Sequence, residues 1–206
     1  MANNLVPRKI LLFFFALISW GTTLAQSNCT LRKDEDGIKV YTCNTDTSKF
    51  KSIKVECMLN TSLQRLEAFL LDFDNYVHWQ FNTSESKALK KISDSVFIYY
   101  AKIDAPWPVA DRDMVVRLWT NHINNQLIIS ATGEKNFLPE KKDLLRVPAS
   151  RSKWIITEKS KNQLEVHYSI QIDPGGSVPA WLVNWVCANA PLQSFKAIKA
   201  QIKKEN

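Results

Sequence analysis

Short runs of alternating apolar and polar residues recur along the chain, and from residue 86 to 173 the pattern consists almost entirely of them. An early pair, residues 37–41 and 50–59, alternates on either side of a polar connection and predicts the two strands of a hairpin. The later runs are residues 88–92, 96–103, 114–120, 126–132, 144–147, 154–157 and 164–172. This pattern is typical of an antiparallel sheet with one buried face and one solvated face.

Two other segments repeat their apolar residues at helical spacing. The first follows Thr61 or Ser62, either of which can cap a helix, and ends between residues 72 and 75. Its apolar residues are Leu63, Leu66, Phe69 and Leu70. The second begins at Pro179 and extends to about Lys204. Its apolar stripe consists of Trp181, Trp185, Ala188, Leu192, Phe195, Ile198 and Ile202. Pro191 lacks a backbone N–H, so we expect a kink there or a break into two helices.

The first 25 residues have the pattern of a secretory signal peptide. Arg8 and Lys9 provide a positive start, residues 10–20 an apolar run, and residues 23–25 a cleavage pattern of small residues. The apolar run is shorter than the roughly 20 residues that a membrane-spanning helix needs, which favours export over an anchor. We therefore expect residues 26–206 to form a single exported domain, periplasmic or secreted.

The composition fits one domain with a mildly basic surface. A chain of 206 residues with 45% hydrophobic content can form one substantial core. The formal net charge of +7 becomes about +5 once Arg8 and Lys9 are removed. No Arg-rich helix or RNA-binding motif accompanies the scattered lysines, so nucleic acid is not an expected partner. The charge favours at most a transient contact with an anionic membrane surface, for which Lys196, Lys199 and Lys203 are candidates.

Four cysteines follow the predicted cleavage site, and export permits disulfides between them. They are Cys29, Cys43, Cys57 and Cys187. Three connectivities are possible for two bridges, and Cys29 with Cys43 is the first pair to test because both lie near the start of the domain. A free, buried Cys187 on the last helix is equally consistent with the sequence. Neither the cysteines nor the three dispersed histidines have metal-ligand spacing, and no metal or cofactor is expected.

A loop with a distinctive composition precedes the run that starts at Met114. Residues 106–113, Pro-Trp-Pro-Val-Ala-Asp-Arg-Asp, place two prolines around Trp107 and three charges before an apolar strand, which predicts a loop fixed at the start of that strand. This stretch resembles the PWPVxDRD signature of the START family, the steroidogenic-acute-regulatory-related lipid-transfer domains. Residues 173–179, Asp-Pro-Gly-Gly-Ser-Val-Pro, resemble that family's DPGGxxP turn before its last helix. The two motifs in this order make the resemblance specific.

The resemblance covers roughly residues 35–204 and implies an α+β helix-grip fold, in which a curved antiparallel sheet wraps around a long C-terminal helix. In that family a cavity between sheet and helix holds one lipid or sterol-like molecule. The implied lining residues are Phe97, Tyr99, Met114, Val116, Leu118, Tyr168, Ile170, Trp181, Trp185 and Leu192. Sterol-binding animal members carry an acid and an arginine at the positions of Tyr99 and Leu118, so fewer charges are expected in this cavity. For each lining residue taken singly, a place in an ordinary core is the more common alternative.

Other positions receive structural or gating roles from the same resemblance. The motif residues Trp107, Asp111, Arg112 and Asp113 are expected to form a structural loop and charge network rather than ligand contacts. Residues 136–143 resemble the family's omega loop, which closes the cavity together with the last helix. Its gate residues here are Phe137, Leu138 and Pro139. An ordinary charged surface loop is the alternative.

The resemblance implies a monomeric, non-enzymatic protein that binds a lipid, fatty acid or isoprenoid for transport or sequestration. One alternative is a cyclase- or aromatase-like enzyme that acts on a ligand in the same cavity, and another is a structural domain with a filled core. No Ser-His-Asp, Cys-His or paired-carboxylate spacing stands out in the sequence. Only His167 or Asp104 in a deep pocket would favour the enzyme.

Overall fold

A single long sheet and a C-terminal helix make up most of the molecule. The computed structural model describes residues 29–45, 48–107 and 109–204. The predicted signal peptide, residues 1–25, lies outside the described residues, and so does Pro108 of the first motif. Within these ranges, no helix has both the length and the apolar character needed to cross a membrane.

The sheet has ten strands and follows the meander that the alternation predicts. The strands are β1 Cys29–Glu35, β2 Ile38–Thr45, β3 Ser48–Leu59, β4 Thr83–Ser93, β5 Val96–Ile103, β6 Arg112–Ile123, β7 Gln126–Gly133, β8 Leu145–Arg146, β9 Ala149–Ser160 and β10 Gln163–Asp173. Their spatial order is β1-β2-β3-β10-β9-β7-β6-β5-β4, and the short β8 pairs in parallel with β6. The curved antiparallel sheet and the terminal helix confirm the α+β helix-grip prediction.

Two α-helices connect to this sheet. The first, α1, spans Leu63–Leu71, and Ser62 caps it because its Oγ accepts a hydrogen bond from the Arg65 backbone N–H at 3.3 Å. A 3₁₀ helix, Phe73–His78, follows directly. The last helix, α2, spans Ala180–Lys204 with Pro191 inside it, so the chain does not break into two helices there, and the predicted kink at Pro191 stays a prediction. One proline removes a single donor from a helix whose remaining turns are held by packing.

The C-terminal half of α2 lies in the hydrophobic core. Leu192, Phe195, Ile198 and Ile202 are all buried, and the Phe195 ring stacks on Trp154 of β9 with ring centres 5.2 Å apart. Burial of each such side chain contributes about 1.5–3 kcal/mol. This half of the helix therefore holds the sheet in its curved form.

The turn before α2 depends on two glycines with positive φ. Gly175 and Gly176 have φ of +66° and +59°, a region that residues with a Cβ rarely adopt. A Cβ at Gly176 would also lie 3.0 Å from Cδ2 of Leu145. Asp173 stabilises the turn because its Oδ1 accepts a hydrogen bond from the Gly175 N–H at 2.9 Å. The second motif thus fixes where the last helix begins.

A disulfide joins Cys29 to Cys43, which are directly paired across β1 and β2, so the first pairing proposed for testing is confirmed. Cys57 is free and buried, and burial raises the pKa of its thiol to about 12. Cys187 is also free but only partly buried.

Removal of the disulfide should destabilise the protein. The bridge closes a loop of 14 residues, and loops of this size contribute about 3 kcal/mol in the chain-entropy model. We expect the double substitution Cys29→Ser and Cys43→Ser to lower the free energy of unfolding by about 2–3 kcal/mol, measured by urea denaturation. Equal urea midpoints for the variant and the oxidised wild type would show that the bridge contributes nothing.

Candidate functional site

A cavity of about 340 Å³ lies beside the N-terminal half of α2. Its other walls come from the ends of β3, β5 and β10 and from the connection between β5 and β6. Most of the lining side chains are apolar, and they include Phe50, Ile53, Ile103, Val109, Val147, Ile172, Val178, Leu182, Val183 and Val186. Burial of ligand surface against such walls provides affinity without any reactive group.

Exposed tryptophans lie in two of the segments that line this cavity. Trp107, in the connection between β5 and β6, is 91% exposed although its neighbours Pro106 and Val109 line the cavity. On α2, Trp181 is 64% and Trp185 48% exposed, and Trp185 lines the cavity. We call Trp107, Trp181 and Trp185 the tryptophan rim. Exposure of three large aromatic side chains in the segments that line one cavity is unusual for a surface that contacts only water.

Of the ten residues predicted to line the cavity, Trp185 does so, and the structure places the others elsewhere. Five of them are buried in the core: Tyr99, Met114, Val116, Leu118 and Leu192. Three are partly buried and pack against that core: Phe97, Tyr168 and Ile170. Trp181 belongs to the exposed rim. A ligand-contact role for these nine residues stays a prediction, and the cavity beside α2 has a different lining.

Aromatic packing explains the different position of the cavity. The ring of Tyr99 stacks on Phe73 with centres 4.8 Å apart, and Tyr168 contacts Trp154 at 4.4 Å. Tyr99 thus packs against the 3₁₀ helix, and Tyr168 and Trp154 pack against Phe195 of α2, so side chains fill these parts of the interior. Burial raises the pKa of Tyr99, so its hydroxyl stays protonated at neutral pH. The cavity of about 340 Å³ lies instead toward the N-terminal end of the helix.

The predicted gate loop lies on the other face of the sheet. Leu138 packs against Ile98, Tyr100 and Val115, whose side chains point away from the core that contains α2. Neither Phe137, which is partly exposed, nor Pro139 lines the cavity. A gating role for Phe137, Leu138 and Pro139 stays a prediction. The connection that lines the cavity contains Asp104, Ala105, Pro106 and Val109.

Charged residues of the first motif hold this connection in place. The Asp111 carboxylate accepts a hydrogen bond from the Ala105 N–H at 3.0 Å and pairs with Lys102 at 3.2 Å. The hydrogen bond from Ala105 and the neighbouring Lys102 lower the pKa of Asp111. Asp113 is fully buried and receives two hydrogen bonds from Arg146, at 2.7 and 3.0 Å. Together these contacts anchor both ends of the segment that carries Trp107.

Arg112 joins the two sequence motifs and also lines the cavity. Its Nε donates a long hydrogen bond of 3.4 Å to the Pro174 carbonyl, and its Nη1 donates to the Ala110 carbonyl. The residue is only 8% exposed, and burial lowers its pKa. A guanidinium nevertheless stays protonated at neutral pH, so a positive charge lies at the cavity wall.

The other polar residues of the lining are Arg32, Thr42, Lys51, Asn82, Asp104 and Asn184. Sequence reasoning named Asp104 as a candidate pocket residue and missed the rest. Arg32 lies on β1, a strand without the alternation that revealed its neighbours. Lys51 and Asp104 lie near strand ends, where periodicity does not indicate direction. The way the strands pair across the sheet, rather than residue type, brings these polar side chains to one cavity.

The two residues that would favour an enzyme have different positions. His167 is exposed on the outer face of β10, near Glu56 and Glu165, and is not part of the lining. Asp104 does line the cavity, but it pairs with Lys102 at 3.2 Å and accepts a hydrogen bond from Ser84 at 2.5 Å. Within the described ranges, no three His, Cys, Asp or Glu side chains are grouped closely enough to hold a metal ion.

Comparisons with known proteins agree over nearly the whole chain. The family model of the START domain matches residues 27–204. An uncharacterized protein of Pseudomonas aeruginosa is 32% identical over 185 residues, covering 89% of this chain and 91% of that protein. The mouse phosphatidylcholine transfer protein is 24% identical over 172 residues, 81% of this chain and 79% of that protein. The crystal structure of a STAR-related lipid transfer protein from Xanthomonas axonopodis has a TM-score of 0.79 at 26% identity, covering 85% of this chain and 99% of that one.

Proposed function

The chain belongs to the START domain family, and from that premise we propose that it binds one hydrophobic molecule in the cavity beside α2 and carries it between membranes unchanged. The observation that carries the proposal is the apolar cavity of about 340 Å³. Ligand pockets usually measure about 300–1,000 Å³, so this volume suits a small or single-chain ligand. The names of the mouse and Xanthomonas relatives, which both refer to lipid transfer, support the same class of function.

Export is part of this proposal. The pattern of residues 1–25 supports it, and so does the disulfide between Cys29 and Cys43, because such bonds persist in oxidising compartments. Action on lipids outside the cytoplasm follows from that location.

An enzyme that acts on the bound ligand is the second candidate, and Asp104 is the observation that favours it. A carboxylate at the cavity wall is a possible general base. Asp104, however, pairs with Lys102 and accepts a hydrogen bond from Ser84, and among the described lining residues neither His167 nor a second acid stands with it. We therefore prefer binding without turnover.

The tryptophan rim gives the protein a surface for docking to a membrane. Tryptophan favours the water–lipid interface because its ring is apolar and its indole N–H is polar. Arg32 and Lys51 line the same cavity and are exposed, which suits a membrane with anionic lipids. Docking through this rim would place the opening of the cavity against the lipid, so that a ligand need not cross water.

We propose the tryptophan rim as the membrane contact in place of the lysines of α2. Lys196 pairs with Glu35 at 2.9 Å and with Asp36 at 3.1 Å, and Lys199 donates a hydrogen bond to the Asp36 carbonyl at 2.7 Å. These side chains fasten the helix to the turn between β1 and β2. Their charge is therefore largely used inside the protein.

A transfer assay tests binding and docking together. Wild-type protein should increase the rate at which pyrene-labelled oleate moves from donor to acceptor vesicles of phosphatidylcholine with 20% phosphatidylglycerol, about in proportion to protein concentration. The double substitution Trp107→Ala and Trp181→Ala should reduce this rate by about tenfold or more, since each ring that leaves water contributes on the order of 1–2 kcal/mol.

Trp119→Ala is the matched control, because Trp119 is an exposed tryptophan of β6 that does not line the cavity. It should transfer as fast as the wild type. A transfer rate that does not depend on protein would contradict the proposed function. Equal transfer rates for the wild type and the double variant would contradict only the proposed docking through the tryptophan rim, not the binding of a ligand. Recovered oleate of altered mass would support the enzyme.

A further inference from the structure

The cavity has more positive than negative groups in its wall. Arg32, Lys51 and Arg112 line it, and Asp104 is the carboxylate that faces them within the described part of the chain. Asp104 already pairs with Lys102, which lies outside the lining. The wall of the apolar cavity therefore carries an excess of positive charge.

Arg112 is the most informative of these groups because it is buried without a direct ion pair, although Asp111 lies near enough to attract it. Its Nε and Nη1 donate to the carbonyls of Pro174 and Ala110, and no salt bridge of its guanidinium is seen within the described part of the chain. The nearby Asp111 is engaged by Ala105 and Lys102 instead. A buried charge that is not paired is costly, and such a group becomes favourable when a partner of opposite charge arrives.

We propose that these three side chains form a subsite for the anionic head group of the ligand, either a carboxylate or a phosphate. The inference rests on the proposed function and names the class of molecule bound: a single-chain anionic amphiphile rather than a neutral sterol. Arg112 offers a planar donor set suited to carboxylate or phosphate oxygens, and Arg32 and Lys51 add positive charge from β1 and β3. The apolar tail then lies against Val183, Val186 and Ile172.

The test compares three probes that share one chain: tritiated oleate, oleoyl lysophosphatidate and oleyl alcohol. Wild-type protein should bind at least one of the two anions about tenfold more tightly than the alcohol. The preferred anion identifies the head group as a carboxylate or a phosphate. This preference should fall by about fivefold when salt is raised or when the positive groups are removed.

The variant for this purpose is Arg32→Gln with Lys51→Gln, since both side chains are exposed and neither is needed for the core. Its matched control is Lys54→Gln with Lys153→Gln, which removes equal charge from exposed positions outside the lining. Arg112→Lys is a third variant that keeps the charge but loses the planar donor set. Its folding is checked first by circular dichroism because Arg112 also contacts Pro174.

The anion preference should drop in Arg32→Gln with Lys51→Gln and in folded Arg112→Lys, and stay unchanged in the lysine control. Equal wild-type affinity for the three probes would overturn the anion subsite while leaving the hydrophobic cavity in place. The anion subsite would also be overturned if the preference for anions survived in both the Arg32–Lys51 variant and Arg112→Lys. A preference that falls equally in the lysine control would overturn it too. Failure of the wild type to bind any of the three probes would overturn the proposed function as well.

Discussion

Replacement of Asp113 by asparagine should lower the free energy of unfolding by about 3–5 kcal/mol, the range found when one partner of a buried ion pair is removed. The Asp113 side chain is fully buried and that of Arg146 is 2% exposed, so water cannot solvate the guanidinium of Arg146 once its carboxylate partner is lost. Arg146 also donates hydrogen bonds to the carbonyls of Lys135, Leu138 and Pro139. The substitution therefore weakens the start of β6 and the loop that packs on the outer face of the sheet.

Urea denaturation of the two proteins measures this change. Asp94→Asn is the matched control, because Asp94 is fully exposed and pairs only with Lys91 at 2.7 Å within the described residues. That control should unfold at the urea concentration of the wild type. If Asp113→Asn and Asp94→Asn had the same midpoint, the buried pair would not be the anchor of the first motif.

Replacement of Val186 by tryptophan should abolish most ligand binding, with a loss of at least about tenfold in affinity for oleate or oleyl alcohol. Val186 lines the cavity from α2, and the larger ring would occupy much of a space of about 340 Å³. The fold should survive because the new side chain enters empty space rather than the packed core.

Ala200→Trp provides the control for this substitution. Ala200 is exposed on the same helix and lies outside the lining, so the same change in size should leave binding unaltered. Circular dichroism and thermal unfolding should be measured for both variants to check that they fold. Wild-type affinity in a folded Val186→Trp protein would place the ligand in another part of the molecule.

Alternation in the sequence predicted those strands whose two faces differ in polarity. The interpretation of residues 96–103 as a strand agrees with β5, because inward Tyr99 and Ala101 alternate with residues of the other face. β9 extends over Ala149–Ser160, well beyond the predicted residues 154–157, since its first residues are largely exposed and polar. β1 was missed for the same reason: only β2 pairs with it, and its side chains are mostly exposed.

The position of the cavity could not be predicted from periodicity. Alternation shows that Tyr99 and Val116 face inward, but it does not show that the Tyr99 ring stacks on Phe73 and fills that part of the interior. Periodicity also does not show that Trp181 and Trp185, which belong to a regular apolar stripe, remain exposed at the N-terminal end of α2. Both facts depend on side-chain packing between segments that are distant in sequence.

For the residues of the two motifs, the sequence revealed the local structure but not the position relative to the cavity. The turn at Gly175 and Gly176 was recognisable through its resemblance to the DPGGxxP motif, and the positive φ angles of both residues explain why glycine stands there. Arg112 was recognisable as part of a charged motif, whereas its place in the cavity wall was not. That place depends on the Pro174 carbonyl, which lies 62 residues further along the chain.

Native mass spectrometry of the purified protein, after incubation with a lipid extract, tests the central claim most directly. The account predicts one bound hydrophobic molecule per chain in the wild type and in Ala200→Trp, released unchanged by organic solvent, and none in Val186→Trp. Wild-type protein that stays empty after this treatment, or that retains its ligand equally in Val186→Trp, would contradict the claim that the cavity beside α2 binds a hydrophobic molecule.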